Sequence, residues 1–188
     1  SYWYTIACLS GCSVNLSGLY KDSLQGDAAG AHLFRQLGIE TEFTNDGVHL
    51  VPGGDRCHEL VYDFVNEPDL AQTFAVASVL LNTPFRFTGL QSLKIKETDR
   101  IAALITELRK LGYVLRETEE HGLQWDGERC EAEREPVIAT YEDHRMAMAF
   151  APAALVLPEG IRIAEPNVVS KSYPRFWEDL RKVGFKII

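Results

Sequence analysis

Basic residues are in short supply in this chain: 19 lysines and arginines stand against 27 aspartates and glutamates, a net charge of −8. That balance argues against a nucleic-acid partner, because neutralising phosphates needs a basic face. An acidic protein that takes an anionic metabolite must instead gather its few cations in one place. Cysteine is scarce too, with four residues (Cys8, Cys12, Cys57, Cys130) and no pair at zinc-ribbon spacing. Cys8 and Cys12 lie one helical turn apart, in or just after an apolar first helix, and read as buried thiols in a reducing cytoplasm. Long apolar runs are missing; the longest, residues 146–157, is too short to cross a bilayer, and no signal peptide is visible. Neither a nucleophile elbow, a phosphate-cradling glycine loop nor a dinucleotide fingerprint occurs. The opening SYWYTIACLSG reads as helix interior rather than a natural start, so a piece of a longer protein is expected.

What is present suits an ordinary soluble globular protein. With 188 residues, 46% hydrophobic and 24% charged, the chain can bury a full core as one large domain or two small ones. Residues 94–109, KIKETDRIAALITELR, place Lys96, Glu97, Asp99 and Arg100 within five positions. Ile101, Leu104, Ile105, Leu108 and Leu111 follow at helical spacing, so the charges sit at the N-terminus of an amphipathic helix, with Thr98 or Asp99 as cap. Helix N-termini attract anions through free N–H groups and the aligned peptide dipole. Taken alone, the run equally describes a solvated helix face.

A repeat changes that balance. LFRQLG, ELRKLG and DLRKVG end on Gly38, Gly112 and Gly184, spaced by 74 and then 72 residues. Each glycine suits the left-handed residue that closes a helix, and the preceding arginine complements the dipole. Strand-like runs follow at 39–43, 113–116 and 185–188. Small-residue apolar helices recur in phase at 2–10, 70–81 and 145–157, followed by short β-rich runs at 13–16, 85–87 and 161–163. The first two units continue into hairpins, with turns at Asn45-Asp46-Gly47 and near Asp126-Gly127. Three units, roughly 1–68, 69–142 and 143–188, are therefore expected about a pseudo-threefold axis rather than in a linear array. In that arrangement the loops 21–27, 92–100 and 168–173 gather at one end. The helix N-termini near Ser1, Asp69 and Asp143 gather there too.

Three further segments supply chemistry. In TYEDHRMAM (140–148), Asp143 is a plausible N-cap and the local partner of Arg145, which emerges at the buried end of an apolar helix. In NEPDLAQTF (66–74), Pro68 opens a helix that Asp69 caps. Ser170-Lys171-Ser172 puts one lysine in a loop before the last helix. Asp69, Glu97, Lys96, Arg100, Arg145 and Lys171 thus form one set, with two carboxylates for proton transfer and four cations for phosphate or carboxylate groups. The expected chemistry is acid–base transfer on a small polyanion, without metal or organic cofactor.

KETDR (96–100) and YEDHRMAM (141–148) resemble the signature segments of the 3-phosphoshikimate 1-carboxyvinyltransferases, the EPSP synthase family. The resemblance extends through SLQGD (23–27), PDLAQT (68–73) and SKSYPRFW (170–177). It implies an α/β (α+β) fold of three βαβαββ units about a pseudo-threefold axis, helices inside and sheets outside. It also implies that residues 1–188 are a single C-terminal domain, whose missing N-terminal domain completes the cleft. The implied reaction moves the enolpyruvyl group of phosphoenolpyruvate onto the 5-hydroxyl of shikimate 3-phosphate. By resemblance Asp69, Glu97 and Lys171 are catalytic: Asp69 takes the hydroxyl proton and Glu97 protonates the methylene carbon. Arg100, Arg145 and Lys171 hold phosphoenolpyruvate; Asp69, Lys96 and Ser92 touch shikimate 3-phosphate, although Ser92 stands where many members carry Asn. Glu97 needs a raised pKa, which burial on domain closure can supply. The resemblance further implies a cytoplasmic, monomeric full enzyme with no membrane or nucleic-acid partner. Two other readings stay open, the UDP-N-acetylglucosamine enolpyruvyl transferase reaction and a non-catalytic anion-binding module.

Overall fold

In the computed structural model, residues 1–21, 28–96 and 98–188 are described. Glu97 and the SLQGD segment (23–27) lie outside the described residues, as does most of the loop 21–27.

Three helices make the centre. They are α1 (Tyr2–Ser10), α3 (Ala71–Leu80) and α5 (His144–Phe150). The α3 sequence AQTFAVASVL is apolar or small on every side, and Ala71 to Val79 are all buried, as a helix without a polar face must be. It packs against both α1 and α5, and α1 meets the 3-10 continuation of α5, Ala151–Leu155. The expected helix 145–157 changes type there because Pro152 has no N–H to continue the α ladder. Small side chains let the three axes approach, and aromatic rings fill the remaining space. Phe34 stacks on Tyr4 and tilts against Phe74, while Phe64 bridges Phe74 and Phe87. Fully burying each such ring is worth on the order of 1.5–3 kcal/mol.

The outer helices are α2 (Ala29–Gln36), α4 (Arg100–Lys110) and α6 (Phe176–Lys182). Their last turns carry Arg35, Arg109 and Arg181, and Gly38, Gly112 and Gly184 follow with φ of 89°, 90° and 102°. In α4 the N–H of Tyr113 bonds the Leu108 carbonyl and that of Gly112 the Arg109 carbonyl. The pair Phe185→Leu180 and Gly184→Arg181 repeats this closure in α6. The repeated hexapeptides are thus three copies of one helix stop.

Strands β1 (Val14–Ser17), β2 (Leu37–Phe43) and β3 (Gly47–Arg56) form an antiparallel sheet in the order β1-β3-β2. Strands β4 (Leu60–Asp63), β5 (Phe85–Thr88), β6 (Arg116–Glu117) and β7 (Leu123–Trp125) form a second, in the order β4-β5-β7-β6. Strands β8 (Val137–Ile138) and β9 (Arg162–Ile163) form a third pair. Both β4–β5 and β8–β9 are parallel, which a crossover through α3 and α5 permits. Running β4-α3-β5-α4-β6-β7, the middle of the chain reads βαβαββ. The sheets are therefore offset by one strand from the helix-first repeat, since β4 and β8 pair with the strand that follows the next central helix.

Some local expectations are corrected. Residues 185–188 form no strand, because no neighbouring strand pairs with them among the described residues. The β6–β7 hairpin turns at 118–122, where Thr118 N–H bonds the Gly122 carbonyl. Asp126-Gly127 instead interrupts the register before Tyr113 bridges Arg129. Cys8 is buried, but Cys12 is exposed, because Gly11 ends α1 in the left-handed conformation and turns the chain outward. Among the described residues no helix is long and apolar enough to cross a membrane.

Candidate active site

The central helices bring their N-termini together. Ser1 Oγ lies 3.3 Å from Thr73 Oγ1, linking the starts of α1 and α3. Gln72 Nε2 donates to Asp143 Oδ2 at 3.4 Å, linking α3 to α5. Among short loops and small residues, this end of the domain is where charge concentrates.

Asp69 is its hub. Its carboxylate accepts from Arg100 Nη1 at 2.7 Å and from Arg145 Nη2 at 3.2 Å, and Lys96 Nζ stands 3.6 Å away. Arg145 Nη1 also donates to the Asp69 carbonyl at 3.2 Å. Burial alone would push this carboxyl up; Arg145, Arg100 and Lys96 outweigh it and hold Asp69 below the usual carboxylate range. The side chain keeps 33% of its surface open to solvent, so the cluster faces outward rather than into the core.

The sequence reading took Asp69 for a helix cap and Asp143 for the partner of Arg145. The structure reverses both. Asp69 sits inside a 3-10 turn, Pro68–Leu70, that precedes α3, and its side chain caps nothing. Asp143 does cap α5, accepting from Arg145 N–H at 2.8 Å. Its other oxygen accepts from Arg100 Nε at 2.7 Å, with the two side chains 0% and 2% exposed. Arg100, rather than Arg145, is therefore the deeply buried guanidinium. It joins two units by spanning Asp143 and Asp69, which is why it tolerates burial. Nothing in the local sequence pairs positions 43 residues apart; only the three-unit arrangement brings them together.

Lys96 follows the 3-10 segment Gln91–Ile95, which carries Ser92. Ser92 is partly buried, and among the described residues no hydrogen bond joins it to the Asp69 group. The same segment is tied to β6 by Lys94, whose Nζ donates to Glu117 at 2.6 Å and lies 3.8 Å from Asp99. Asp99 caps α4 by accepting from Ala102 N–H at 3.0 Å. Lys171 closes another 3-10 segment, Pro166–Lys171, and is exposed; its Nζ donates to the Glu142 carbonyl at 2.7 Å, just before α5. Asp69, Lys96, Arg100 and Arg145 are thus in direct contact, and Lys171 is linked to the start of α5. Among the described residues no group of three or more His, Cys, Asp or Glu could hold a metal ion.

This arrangement can bind oxyanions through two arginine forks and two lysines, with a carboxylate at their centre able to exchange a proton. Known proteins carry the same arrangement of chain. The family model described as EPSP synthase (3-phosphoshikimate 1-carboxyvinyltransferase) matches residues 1–180. A 3-phosphoshikimate 1-carboxyvinyltransferase of Bacteroides fragilis is 60% identical over the whole chain, which spans 46% of that relative's length. One from Bordetella petrii is 36% identical over 95% of the chain and 40% of its own length. In three dimensions an EPSP synthase from Acinetobacter baumannii superposes with a TM-score of 0.76 at 19% identity, covering 97% of this chain and 44% of that one. That likeness shows the shared fold. With the family match running through both the Asp69 cluster and its helical frame, the chain belongs to the EPSP synthase family.

Proposed function

We propose that this chain is the C-terminal domain, residues 1–188, of a 3-phosphoshikimate 1-carboxyvinyltransferase, and supplies about half of its active site. The reaction transfers the enolpyruvyl group of phosphoenolpyruvate to the 5-hydroxyl of shikimate 3-phosphate. A bond forms between that hydroxyl oxygen and C2 of phosphoenolpyruvate, while the hydroxyl proton passes to Asp69. A proton from Glu97 reaches the C3 methylene, giving a tetrahedral adduct. Glu97, now a carboxylate, takes back a methyl proton as phosphate leaves C2, which restores the enol ether, and the hydroxyl proton held by Asp69 passes to the departing phosphate. Arg100, Arg145 and Lys171 hold the phosphate and carboxylate of phosphoenolpyruvate. Lys96, Asp69 and Ser92 meet shikimate 3-phosphate.

The observation that carries this reading is the contact of Asp69 with Arg100, Arg145 and Lys96. Those cations keep the carboxylate ionised and make it a weak base. Substrate phosphate and carboxylate compete for the same guanidinium groups. Drawing them off returns Asp69 toward ordinary basicity at the moment a hydroxyl proton must be taken. The role of Glu97 rests on the family resemblance alone. The full enzyme is a cytoplasmic monomer in this reading, which gel filtration of the native protein checks.

Mixing this chain with the N-terminal half of the Bacteroides fragilis relative and following phosphate release tests the function. Turnover with shikimate 3-phosphate, lost in Asp69→Asn, is the expected result. Turnover only with UDP-N-acetylglucosamine assigns the other enolpyruvyl transfer. No turnover by the mixture or by the intact native protein, with Glu97→Gln changing nothing measurable, leaves a binding module instead.

A further inference from the structure

The turn that feeds α5 has an unusual backbone. Asp143 N–H bonds the Thr140 carbonyl at 2.8 Å, and the two residues between them, Tyr141 and Glu142, have φ of 53° and 56°. Turns with positive φ at both central positions are normally built from Asn and Gly, which tolerate that region. Here neither is present, so surrounding contacts must hold the conformation. The sequence around the turn offers one such contact. Tyr141 Oη donates to Glu107 Oε1 at 2.7 Å. Glu107, on α4, is itself fully buried; its other oxygen accepts from Ala139 N–H at 3.0 Å and from Lys110 Nζ at 2.7 Å. Lys110 also donates to the Val137 carbonyl at 2.9 Å, so the group clamps both β8 and the turn to α4. Burial and the Glu107 carboxylate push the Tyr141 hydroxyl up to about 12, and it remains a donor at neutral pH.

The turn has two outputs. The Glu142 carbonyl accepts from Lys171, and Asp143 both caps α5 and receives Arg100. We infer that Glu107 and Tyr141 are positioning residues of the proposed transferase site, whose hydrogen bond fixes the 140–143 turn so that Lys171, Arg100 and Arg145 are aligned. Neither touches the Asp69 cluster. They act from two turns further along α4 than Arg100, through the backbone.

The inference rests on the proposed transferase reading, and the test separates the two. In the intact protein carrying this chain, Tyr141→Phe is expected to raise KM for phosphoenolpyruvate about tenfold, with KM for shikimate 3-phosphate within about twofold of wild type. Glu142→Gly, added to Tyr141→Phe, lets the turn keep positive φ without the clamp and restores the lower KM, because residue 142 contributes its carbonyl. Glu107→Gln keeps a single acceptor oxygen, for Tyr141 or for Ala139 and Lys110 but not both, and is expected to raise KM for phosphoenolpyruvate as well. A merely structural clamp lowers the melting temperature and leaves KM per folded molecule unchanged, which overturns the inference. A crystal structure of Tyr141→Phe reads the turn without any turnover. Retained positive φ at 141 and 142 overturns the inference, and a relaxed turn with Lys171 displaced supports it. Wild-type protein without turnover on shikimate 3-phosphate sinks the transferase reading instead, and the crystal structure still decides whether the clamp sets the turn.

Discussion

Arg100 holds two units together from a buried position. It is buried between Asp143 and Asp69, so Arg100→Ala strands a buried carboxylate as well as emptying its own volume. The expected destabilisation is about 3–5 kcal/mol in urea unfolding. A second change, Asp143→Asn, which keeps the capping oxygen and removes the charge, should recover part of it; if it deepens the loss instead, the buried pair is not the cause. Asp69 behaves differently because a third of it meets solvent. Its lowered pKa means that the folded state binds its proton less tightly than the unfolded chain does. The stability it contributes is therefore present above the ordinary carboxyl pKa near 4 and disappears as pH falls through the lowered folded value. Wild type and Asp69→Asn should show acid-unfolding curves that differ at pH 6 and converge at the acid end. The cation set was legible in the sequence, since Lys96, Arg100 and Arg145 stand at helix starts. Their pairing was not, because a cap and an ion-pair carboxylate look alike until positions 31 to 76 residues apart are brought together.

At the level of the element, the repeated Arg-x-x-Gly endings were the most readable feature, since a helix stop needs a residue free to adopt positive φ. Gly38, where an added Cβ would lie 2.8 Å from the Gly54 carbonyl oxygen, is the tightest of the three, and Gly112 comes next. Its φ is 90°, and an added Cβ would lie 3.0 Å from the Cys130 carbonyl oxygen. Gly112→Ala should therefore cost more than the ~1 kcal/mol usual for such positions, read by thermal melting, whereas Gly184→Ala, with open space around it, should cost less. Equal losses would remove the close approach as the reason. Asp99→Ala should weaken α4 by about 1 kcal/mol through its lost cap. Short strands were the least legible elements. β6 and β8 are two residues each, too brief for alternation to mark them, and the partner of β8 lies beyond α5; β9, equally short, falls within the expected run 161–163. Residues 185–188 carry an apolar pattern as good as theirs and form no strand, so pattern without a partner decides nothing.

For the molecule as a whole, α3 is buried against both neighbours in one core that runs from α1 to α5, and a second cluster joins Ile6 of α1 to Met148, Val169, Phe176 and Leu180 of the third unit. Unfolding should accordingly be one transition, with the fluorescence of the three tryptophans and far-ultraviolet dichroism giving the same midpoint in urea. Separate midpoints would mean that the units melt independently. The isolated chain should bind phosphoenolpyruvate weakly by titration calorimetry, since much of the proposed cleft lies in the other domain; tight binding would contradict a shared site. The one-strand offset between the helix-first repeat and the sheets has a consequence for ancestry. A duplicated segment keeps its strand pairs only if copied in the phase of the sheets, beginning at β4 and ending at β7. Copies cut at the helix starts would each have left an edge strand behind in the preceding copy. A duplication that preserved these pairs would accordingly begin with a strand and carry the central helix as its second element.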